Sequence, residues 1–189
     1  MAELEARDAA DRLDGTARSA RLRQVPRETG KFLALLCAGA PAGQAIEIGA
    51  SAGYSALWLA LACREVGRQL VTYEVLSAKA ELARETVARA GVSDVVRVIE
   101  GDFREATSRE RDVAFCFLDA EKDVYEDCYR LIVDRLVPGG VVVADNVISH
   151  ADELGGFVDV VLADARVDAV VVPIGKGELV ARRRGVLST

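Results

Sequence analysis

The stretch Gln44-Ala-Ile-Glu-Ile-Gly-Ala-Ser-Ala-Gly-Tyr-Ser-Ala-Leu-Trp-Leu-Ala-Leu61 decides the fold. It predicts a short buried strand over residues 45–48, a turn from Gly49 to Gly53, and a helix that starts near Ser55. The two glycines carry no Cβ, so the backbone of the turn can approach a ligand closely. The first amides of the helix lack intrahelical partners and lie at the positive end of the helix dipole. A strand, a glycine turn and a helix in this order predict a ligand-binding cradle.

The same alternation of strand and helix continues along the chain. Short runs rich in Val and Ile separate segments of helical pattern, and a Gly-Lys-Gly turn joins the two last strands. This order predicts an α/β fold with a mostly parallel sheet, one antiparallel strand and helices on both faces. The helix over residues 124–136 is expected to end at Pro138-Gly139-Gly140. Further strands are predicted over residues 70–73, 95–99, 113–118, 141–144, 169–173 and 178–182, and further helices over residues 78–90 and 153–164.

The domain organisation is expected to be simple. A chain of 189 residues is long enough for one domain, residues 1–189, with a substantial core. Residues 1–40 form an N-terminal helical segment with a surface helix over residues 1–24, and residues 44–183 form the sheet core. The N-terminal segment either covers the sheet or caps a site at its edge, and the sequence leaves both alternatives open.

The composition argues against several functional classes. A formal net charge of −6 argues mildly against general nucleic-acid binding, since that affinity comes largely from phosphate neutralisation. The four cysteines lie in apolar segments without CxxC spacing, so we expect reduced core thiols. No apolar run is long enough to cross a bilayer, and the N-terminus has no signal core. We therefore expect a cytoplasmic protein without membrane contact.

Two acidic residues narrow the ligand class of the cradle. Glu47 lies in the first strand, where a carboxylate would repel a pyrophosphate, and the turn lacks the GxGxxG dinucleotide pattern. Glu74 ends the second strand, where an acid suits ribose hydroxyls. S-adenosylmethionine, a positively charged nucleoside without phosphates, fits both. Asp102 and Phe103 would border its adenine as acceptor and flat wall. Structural roles stay open: a turn acid for Glu74, and a cap of the turn amides for Glu47.

The ends of the fourth and fifth strands carry a second set of polar residues. Asp119, Asp145 and Asn146 would converge if these strands are neighbours, and two carboxylates with one amide oxygen suit magnesium, manganese or calcium. Lys122 follows near a helix N-terminus and the expected metal, which both favour its neutral amine, so it is the candidate general base. Such a site would prepare a phenol or vicinal diol as an oxygen nucleophile. The alternative is two ordinary strand-end aspartates and a solvated lysine.

Several short stretches match one known family: Glu47-Ile-Gly-Ala-Ser-Ala-Gly-Tyr-Ser55, Tyr73-Glu74, Gly101-Asp102, Leu118-Asp-Ala-Glu-Lys122 with Tyr125, Pro138-Gly-Gly140, Ala144-Asp-Asn-Val147 and Pro173-Ile-Gly-Lys-Gly177. Together they resemble the class I, S-adenosylmethionine-dependent O-methyltransferases of the metal-dependent type. This group includes catechol and caffeoyl-coenzyme A O-methyltransferases. The resemblance implies a Rossmann-like, seven-stranded sheet with its last strand antiparallel, and a homodimer.

The resemblance also implies roles for the residues already singled out. Lys122 would be the catalytic base, and Mg²⁺ is the expected metal, held by Asp119, Asp145 and Asn146. The cofactor would be S-adenosyl-L-methionine, and the acceptor a small molecule with a hydroxyl group. The residues expected around the cofactor are Glu47, Gly49, Ser51, Gly53, Tyr54, Ser55, Glu74, Asp102, Phe103 and Asp119.

Two departures from the family pattern leave the acceptor open. The path from Asn146 to the next helix is short and carries the only histidine, His150, as a candidate base or substrate contact. The N-terminal segment is also short, so the pocket should be more open or completed by a partner. Two other functions stay open: a cofactor-binding module without catalysis, and methylation of RNA or protein. The latter would use a basic patch formed by Arg18, Arg21, Arg23, Arg182, Arg183 and Arg184.

Overall fold

The computed structural model describes residues 1–17, 20–105 and 111–185. Its helices are α1 Ala2–Asp11, α2 Arg27–Gly39, α3 Tyr54–Glu65, α4 Ser77–Arg89, α5 Tyr125–Val133 and α6 Ala151–Leu162, and a 3₁₀ turn, Lys122–Val124, precedes α5. Its strands are β1 Gln44–Ile48, β2 Leu70–Glu74, β3 Val96–Glu100, β4 Val113–Leu118, β5 Leu136–Ala144, β6 Val167–Val172 and β7 Glu178–Arg183.

The strands form one seven-stranded sheet in the order β3-β2-β1-β4-β5-β7-β6. β7 runs antiparallel to both β5 and β6, and the other neighbours are parallel. The predicted α/β architecture with its antiparallel last strand is therefore confirmed. The strand order reverses between β1 and β4, and in open α/β sheets such a switch point creates a crevice beyond the carboxyl ends of the strands.

The predicted end of the fifth helix is wrong. The helix ends at Val133, and residues 136–144, which include the Pro-Gly-Gly sequence, belong to β5. Leu136 pairs with Val113, but Val141 pairs with Phe115, so the intervening residues bulge out of the ladder. Sheet pairing on both sides of the bulge overrides the turn signal of the proline and glycines.

The N-terminal segment differs from a surface helix over residues 1–24. The helix α1 ends at Asp11, and Leu22 is only 1% exposed. The Asp11 carboxylate accepts the backbone N–H of Leu22 at 3.1 Å, and the Asp8 carboxylate accepts that of Gln24 at 3.1 Å. We call residues 20–25 the N-terminal strap. These two carboxylates tie the strap to α1, and the hydroxyl of Ser51, in the turn after β1, donates to the Leu22 carbonyl at 2.7 Å.

The core lies on both faces of the sheet. On one face, α2 packs against α3 so closely that a Cβ on Gly30 would stand 2.4 Å from the Trp58 ring. All four cysteines are buried and free, which confirms the expectation of core thiols, and the Cys37 and Cys63 sulfurs lie 3.8 Å apart. In the described part of the chain, each helix is too short or too polar to cross a membrane.

Candidate active site

A pocket of about 680 Å³ opens at the carboxyl ends of β1, β2, β4 and β5. The turn after β1, the N-terminal strap, the first turn of α4 and the segments after β4 and β5 line it. Glu47, Gly53 and Asp145 lie behind its wall, since they do not line it. The predicted residues that line it are Gly49, Ser51, Tyr54, Ser55, Glu74, Asp102, Phe103, Asp119, Lys122, Asn146 and His150.

The glycine turn forms the floor of the pocket. Gly49 has φ +102°, and a Cβ there would stand 2.0 Å from the backbone oxygen of Asp119. Gly53 has φ +82° at the N-cap of α3, where a Cβ would stand 3.4 Å from the Ala83 backbone. Both glycines therefore adopt dihedral angles that other residues would oppose, and at Gly49 a side chain would also clash with the backbone of Asp119.

The Glu74 carboxylate is held in place by two backbone amides. The N–H of Ser51 donates to Oε2 at 2.8 Å, and the N–H of Leu76 donates to Oε1 at 2.9 Å. Each carboxylate oxygen can accept a further hydrogen bond, because an ionised carboxylate offers about four lone-pair directions. Glu74 is thus a fixed acceptor at the pocket wall, as required for binding a vicinal diol such as a ribose.

Glu47 is fully buried beneath the turn. The Thr72 hydroxyl donates to its Oε2 at 2.5 Å, whereas Oε1 has no hydrogen-bond partner among the described residues. Burial raises the pKa of Glu47 to about 7. The sequence left open a cap of the turn amides for Glu47, but the hydrogen bond to its carboxylate comes from Thr72 of β2 instead.

Three other expected cofactor residues line the pocket and contact neighbouring side chains. Asp102 pairs with Arg104 at 2.6 Å, and the hydrogen bond from that guanidinium lowers the pKa of Asp102. Phe103 is 1% exposed and packs edge-on against Tyr73, with ring centroids 5.3 Å apart. The Tyr54 hydroxyl donates to Glu5 of α1 at 2.7 Å. Their roles toward a cofactor remain predictions.

The residues after β4 and β5 converge as the sequence predicted. Asn146 has φ +71°, and its side-chain amide donates to Asp119 Oδ1 at 2.8 Å. The buried Asp145 accepts the Asn146 backbone N–H at 2.6 Å through Oδ1. Its Oδ2 has no hydrogen-bond partner among the described residues. Burial and the charge of Asp119 raise the pKa of Asp145.

Lys122 stands beside this pair of strand ends. Its ammonium donates to the Ala120 carbonyl at 3.0 Å and to the Tyr125 hydroxyl at 2.9 Å, and it lies 3.5 Å from Asp119 Oδ1. The Tyr125 hydroxyl in turn donates to the backbone oxygen of Asp145 at 3.2 Å. Tyr125 therefore links the candidate base to the end of β5.

Sequence reasoning missed Glu178, which the structure places next to the candidate metal ligands. Because Leu179 pairs with Ala144 across the antiparallel ladder, Glu178 at the start of β7 adjoins Asp145 at the end of β5. Glu178 is 0% exposed, and neither carboxylate oxygen receives a hydrogen bond from a described residue. Burial and the charge of Asp145 raise the pKa of Glu178, which favours its neutral form. The signal lies in strand pairing, so one sequence could not reveal it.

A divalent cation fits the residues of this edge. Asp119, Asp145 and Asn146 offer two carboxylates and one amide, and the unpartnered oxygen of Asp145 is the kind of buried acceptor that a cation satisfies. Within the described ranges, no three His, Cys, Asp or Glu side chains are grouped to hold a metal. A cation here would therefore depend on the asparagine and on water or substrate oxygens.

The other candidates of the sequence analysis have ordinary contacts. His150 precedes α6 at the pocket rim, with Nδ1 2.9 Å from the Ser149 hydroxyl. Of the expected basic patch, Arg23 pairs with Glu121 at 2.6 Å and Arg184 with Asp168 at 2.8 Å. Arg18 lies outside the described residues. These ion pairs offset part of the charge that nucleic-acid binding would need.

Comparison with known proteins identifies the family. A family model described as O-methyltransferase matches residues 11–184, so the chain belongs to the O-methyltransferase family. The match covers the N-terminal strap, the glycine turn and both strand ends that carry the candidate metal ligands. The resemblance seen in the sequence is thereby confirmed.

Two curated relatives and one solved structure show which O-methyltransferases the chain is similar to. The chain is 36% identical to a catechol O-methyltransferase of Mycobacterium tuberculosis over 126 residues, 66% of this chain and 57% of that protein. It is 27% identical to a caffeoyl-CoA O-methyltransferase of Mesembryanthemum crystallinum over 187 residues, 86% and 73% of the two chains. The crystal structure of an O-methyltransferase from Bacillus cereus in complex with SAH (S-adenosylhomocysteine) aligns with TM-score 0.79 and 26% identity, over 97% of this chain and 90% of that one. The chain thus spans less than two thirds of the first of these relatives.

Proposed function

We propose that this protein is an S-adenosylmethionine-dependent, divalent-metal-assisted O-methyltransferase that acts on a hydroxyl of a small catechol-like or polyol substrate. The observation that carries the proposal is the convergence of Asp119, Asn146 and Lys122 at one pocket that the glycine turn also lines. The names of the relatives and the SAH-bound structural neighbour support it.

The part of the pocket between the glycine turn and Glu74, here called the cofactor half, suits a sulfonium nucleoside. The fixed carboxylate of Glu74 would accept the two ribose hydroxyls, and the first amides of α3 would face the amino-acid carboxylate. The glycine turn presents backbone but no phosphate-binding pattern. We propose Gly49, Ser51, Gly53, Tyr54, Ser55, Glu47, Glu74, Asp102, Phe103 and Asp119 as the residues that form this half.

The other half suits proton removal from an acceptor hydroxyl. Asp119, Asp145 and Asn146 would hold the divalent cation, with Mg²⁺ the expected ion. When bound, the cation would supply Lewis acidity that makes the acceptor hydroxyl easier to deprotonate. Lys122 is the proposed base, since its Nζ reaches the same edge and is held there by Ala120 and Tyr125.

The proposed methyl transfer needs no reagent beyond the acceptor and S-adenosylmethionine. Lys122, in its neutral form, accepts the hydroxyl proton of the acceptor at Nζ, and the oxygen forms a bond to the methyl carbon as the bond from that carbon to sulfur breaks. The products are a methyl ether, S-adenosylhomocysteine and a protonated lysine. The chain contributes mainly alignment of the two reactants, which is a large source of rate in such transfers.

Polar residues around the pocket guide the choice of acceptor. The short loop from Asn146 to α6 and the presence of His150 and Lys176 at the rim indicate an open, polar acceptor site. A catechol or polyol fits such a rim better than a large apolar substrate. The homodimer and the cytoplasmic location stay predictions, drawn from the family resemblance and the composition.

A methyl-transfer assay against a panel of catechols, polyphenols and polyols tests the proposal. We expect turnover of at least one vicinal diol, loss of that turnover with EDTA, and recovery when Mg²⁺ is restored. Turnover that EDTA leaves unchanged would contradict metal assistance. Cofactor binding without methylation of any acceptor and without a response to Mg²⁺ would favour a non-catalytic module instead.

A further inference from the structure

The pocket wall contains a buried lysine that none of the roles above uses. Lys79 lies in the first turn of α4, lines the pocket and is 7% exposed. Within the part of the chain that the structure describes, no ion pair or hydrogen bond reaches its ammonium. For comparison, the pocket-lining Lys122 has three polar neighbours within 3.5 Å.

The Lys79 ammonium borders the pocket and is not one of the fully enclosed polar atoms without a partner. Burial, followed by the charge of Arg23, lowers the pKa of Lys79, while the charge of Glu74 partly offsets this. A buried charge without a partner costs stability unless water or a ligand supplies acceptors. Since the side chain borders the pocket, the missing acceptor has to come from what occupies the pocket.

The neighbourhood of Lys79 identifies the chemistry of that acceptor. Glu74, five residues earlier, has its carboxylate fixed by two backbone amides and its remaining lone pairs free for hydroxyl hydrogens. A hydroxyl that donates to Glu74 still has lone pairs that need a donor. An ammonium offers three N–H donors and no acceptor, so it complements a carboxylate around a diol.

We propose that Lys79 is a cofactor-binding residue that donates hydrogen bonds to the ribose hydroxyl oxygens whose hydrogens Glu74 accepts. The inference rests on the proposed function, because the ribose belongs to the proposed cofactor. It adds a donor to the ribose hydroxyls, for which the sequence predicted only the acceptor Glu74. It also gives a role to a pocket-lining lysine that makes no ion pair with a described residue.

The variant Lys79→Met tests the proposal, because it keeps a side chain of similar length but has no ammonium. Its affinity is measured by calorimetry for S-adenosylhomocysteine and for the 2′-deoxy and 3′-deoxy ribose analogues. We expect the variant to bind S-adenosylhomocysteine about 10-fold more weakly, since hydrogen bonds to charged groups contribute at about that level. The wild type should lose more affinity than the variant when the contacted hydroxyl is removed. Lys31→Met, at an exposed lysine of α2, is the matched control and should bind like the wild type.

Two further measurements separate binding from folding. Without ligand, Lys79→Met should melt close to the temperature of the wild type, because water in the empty pocket can solvate the Lys79 ammonium. Lys79→Arg should retain much of the affinity, since it keeps the charge and donors. Wild-type affinity in Lys79→Met would overturn the proposal, and so would an equal deoxyribose penalty in both proteins. If the wild type fails to bind S-adenosylhomocysteine, the proposed function fails and this inference with it.

Discussion

Gly49 and Asp119 lie in direct backbone contact, so that a Cβ on residue 49 would stand 2.0 Å from the Asp119 carbonyl oxygen. The two strands that end there are neighbours, with Ile48 paired to Leu118, and the Asp119 N–H donates to the Ile48 carbonyl at 2.9 Å. The turn that begins at Gly49 and the segment that carries the candidate metal ligand Asp119 are therefore packed directly against each other. Movement of either would displace the other.

Gly49→Ala is expected to damage both halves of the pocket. The new Cβ would overlap the Asp119 carbonyl, and alanine would be strained at φ +102°. We expect a loss of about 2–4 kcal/mol in the free energy of unfolding, from strain and overpacking combined. Urea unfolding measures this loss, and calorimetry with S-adenosylhomocysteine measures the accompanying loss of binding.

Gly156→Ala is the matched control for this substitution. Gly156 lies inside α6, and a Cβ added there would meet no atom within 4 Å, so alanine should raise helix stability by about 0.5–1 kcal/mol. Equal stability of Gly49→Ala and the wild type would show that the turn can move away from Asp119 at little cost.

Lys122→Met should remove turnover while cofactor binding persists. The ammonium contacts Ala120 and Tyr125, after β4, whereas the Glu74 carboxylate at the end of β2 is held by the amides of Ser51 and Leu76. We expect kcat to fall by about 10²–10⁴-fold, the range in which general bases contribute. S-adenosylhomocysteine affinity, measured by calorimetry, should change little. A variant that keeps wild-type kcat would exclude Lys122 as the base.

The sequence predicted the parts of the site that depend on local pattern. Asp119 follows a buried apolar strand directly, and so do Asp145 and Asn146, so the rule that ligands bind at carboxyl strand ends made them the candidate residues. Only the adjacency of β4 and β5 had to be assumed. The structure supplies it, with Leu118 paired to Ala144.

The parts that escaped prediction depend on contacts between distant segments. Glu178 adjoins Asp145 through an antiparallel register that no local pattern encodes. Arg23 meets Glu121 across 98 positions of sequence, at the N-terminal strap. The Pro-Gly-Gly sequence became a bulge because strand pairing outweighed its turn preference. Long-range packing, rather than composition, decided each of these features.

Asp145→Asn should abolish the stabilisation that Mg²⁺ gives to the folded protein. A ligand that binds the folded state alone stabilises it by about 2.7 kcal/mol at 100 times its Kd. We expect millimolar Mg²⁺ to raise the melting temperature of the wild type, because the cation would satisfy the unpartnered Asp145 oxygen. Asp152→Asn, at an exposed aspartate of α6, should keep the full response. A variant with a wild-type response would place the cation elsewhere.

Glu47→Gln should change how stability depends on pH in the protein without cofactor. Burial raises the pKa of Glu47 from 4.5 to about 7, so the fold favours the protonated carboxyl. The stabilisation from that proton is complete below pH 4.5 and is lost as the pH rises through 7. A difference of two to three units between the pKa of Glu47 in the folded and the unfolded chain corresponds to about 3 kcal/mol of folding free energy.

The comparison of the two proteins isolates this effect from other titrating groups. Urea unfolding of both at about pH 5 and pH 8 should show the wild type losing about 2 kcal/mol relative to Glu47→Gln as the pH rises. Asp145 and Glu178 titrate in both proteins, so their contribution cancels in the difference. Glutamine also keeps an oxygen for the Thr72 hydroxyl. A difference that stays constant with pH would mean that Glu47 ionises in the fold as readily as in the unfolded chain.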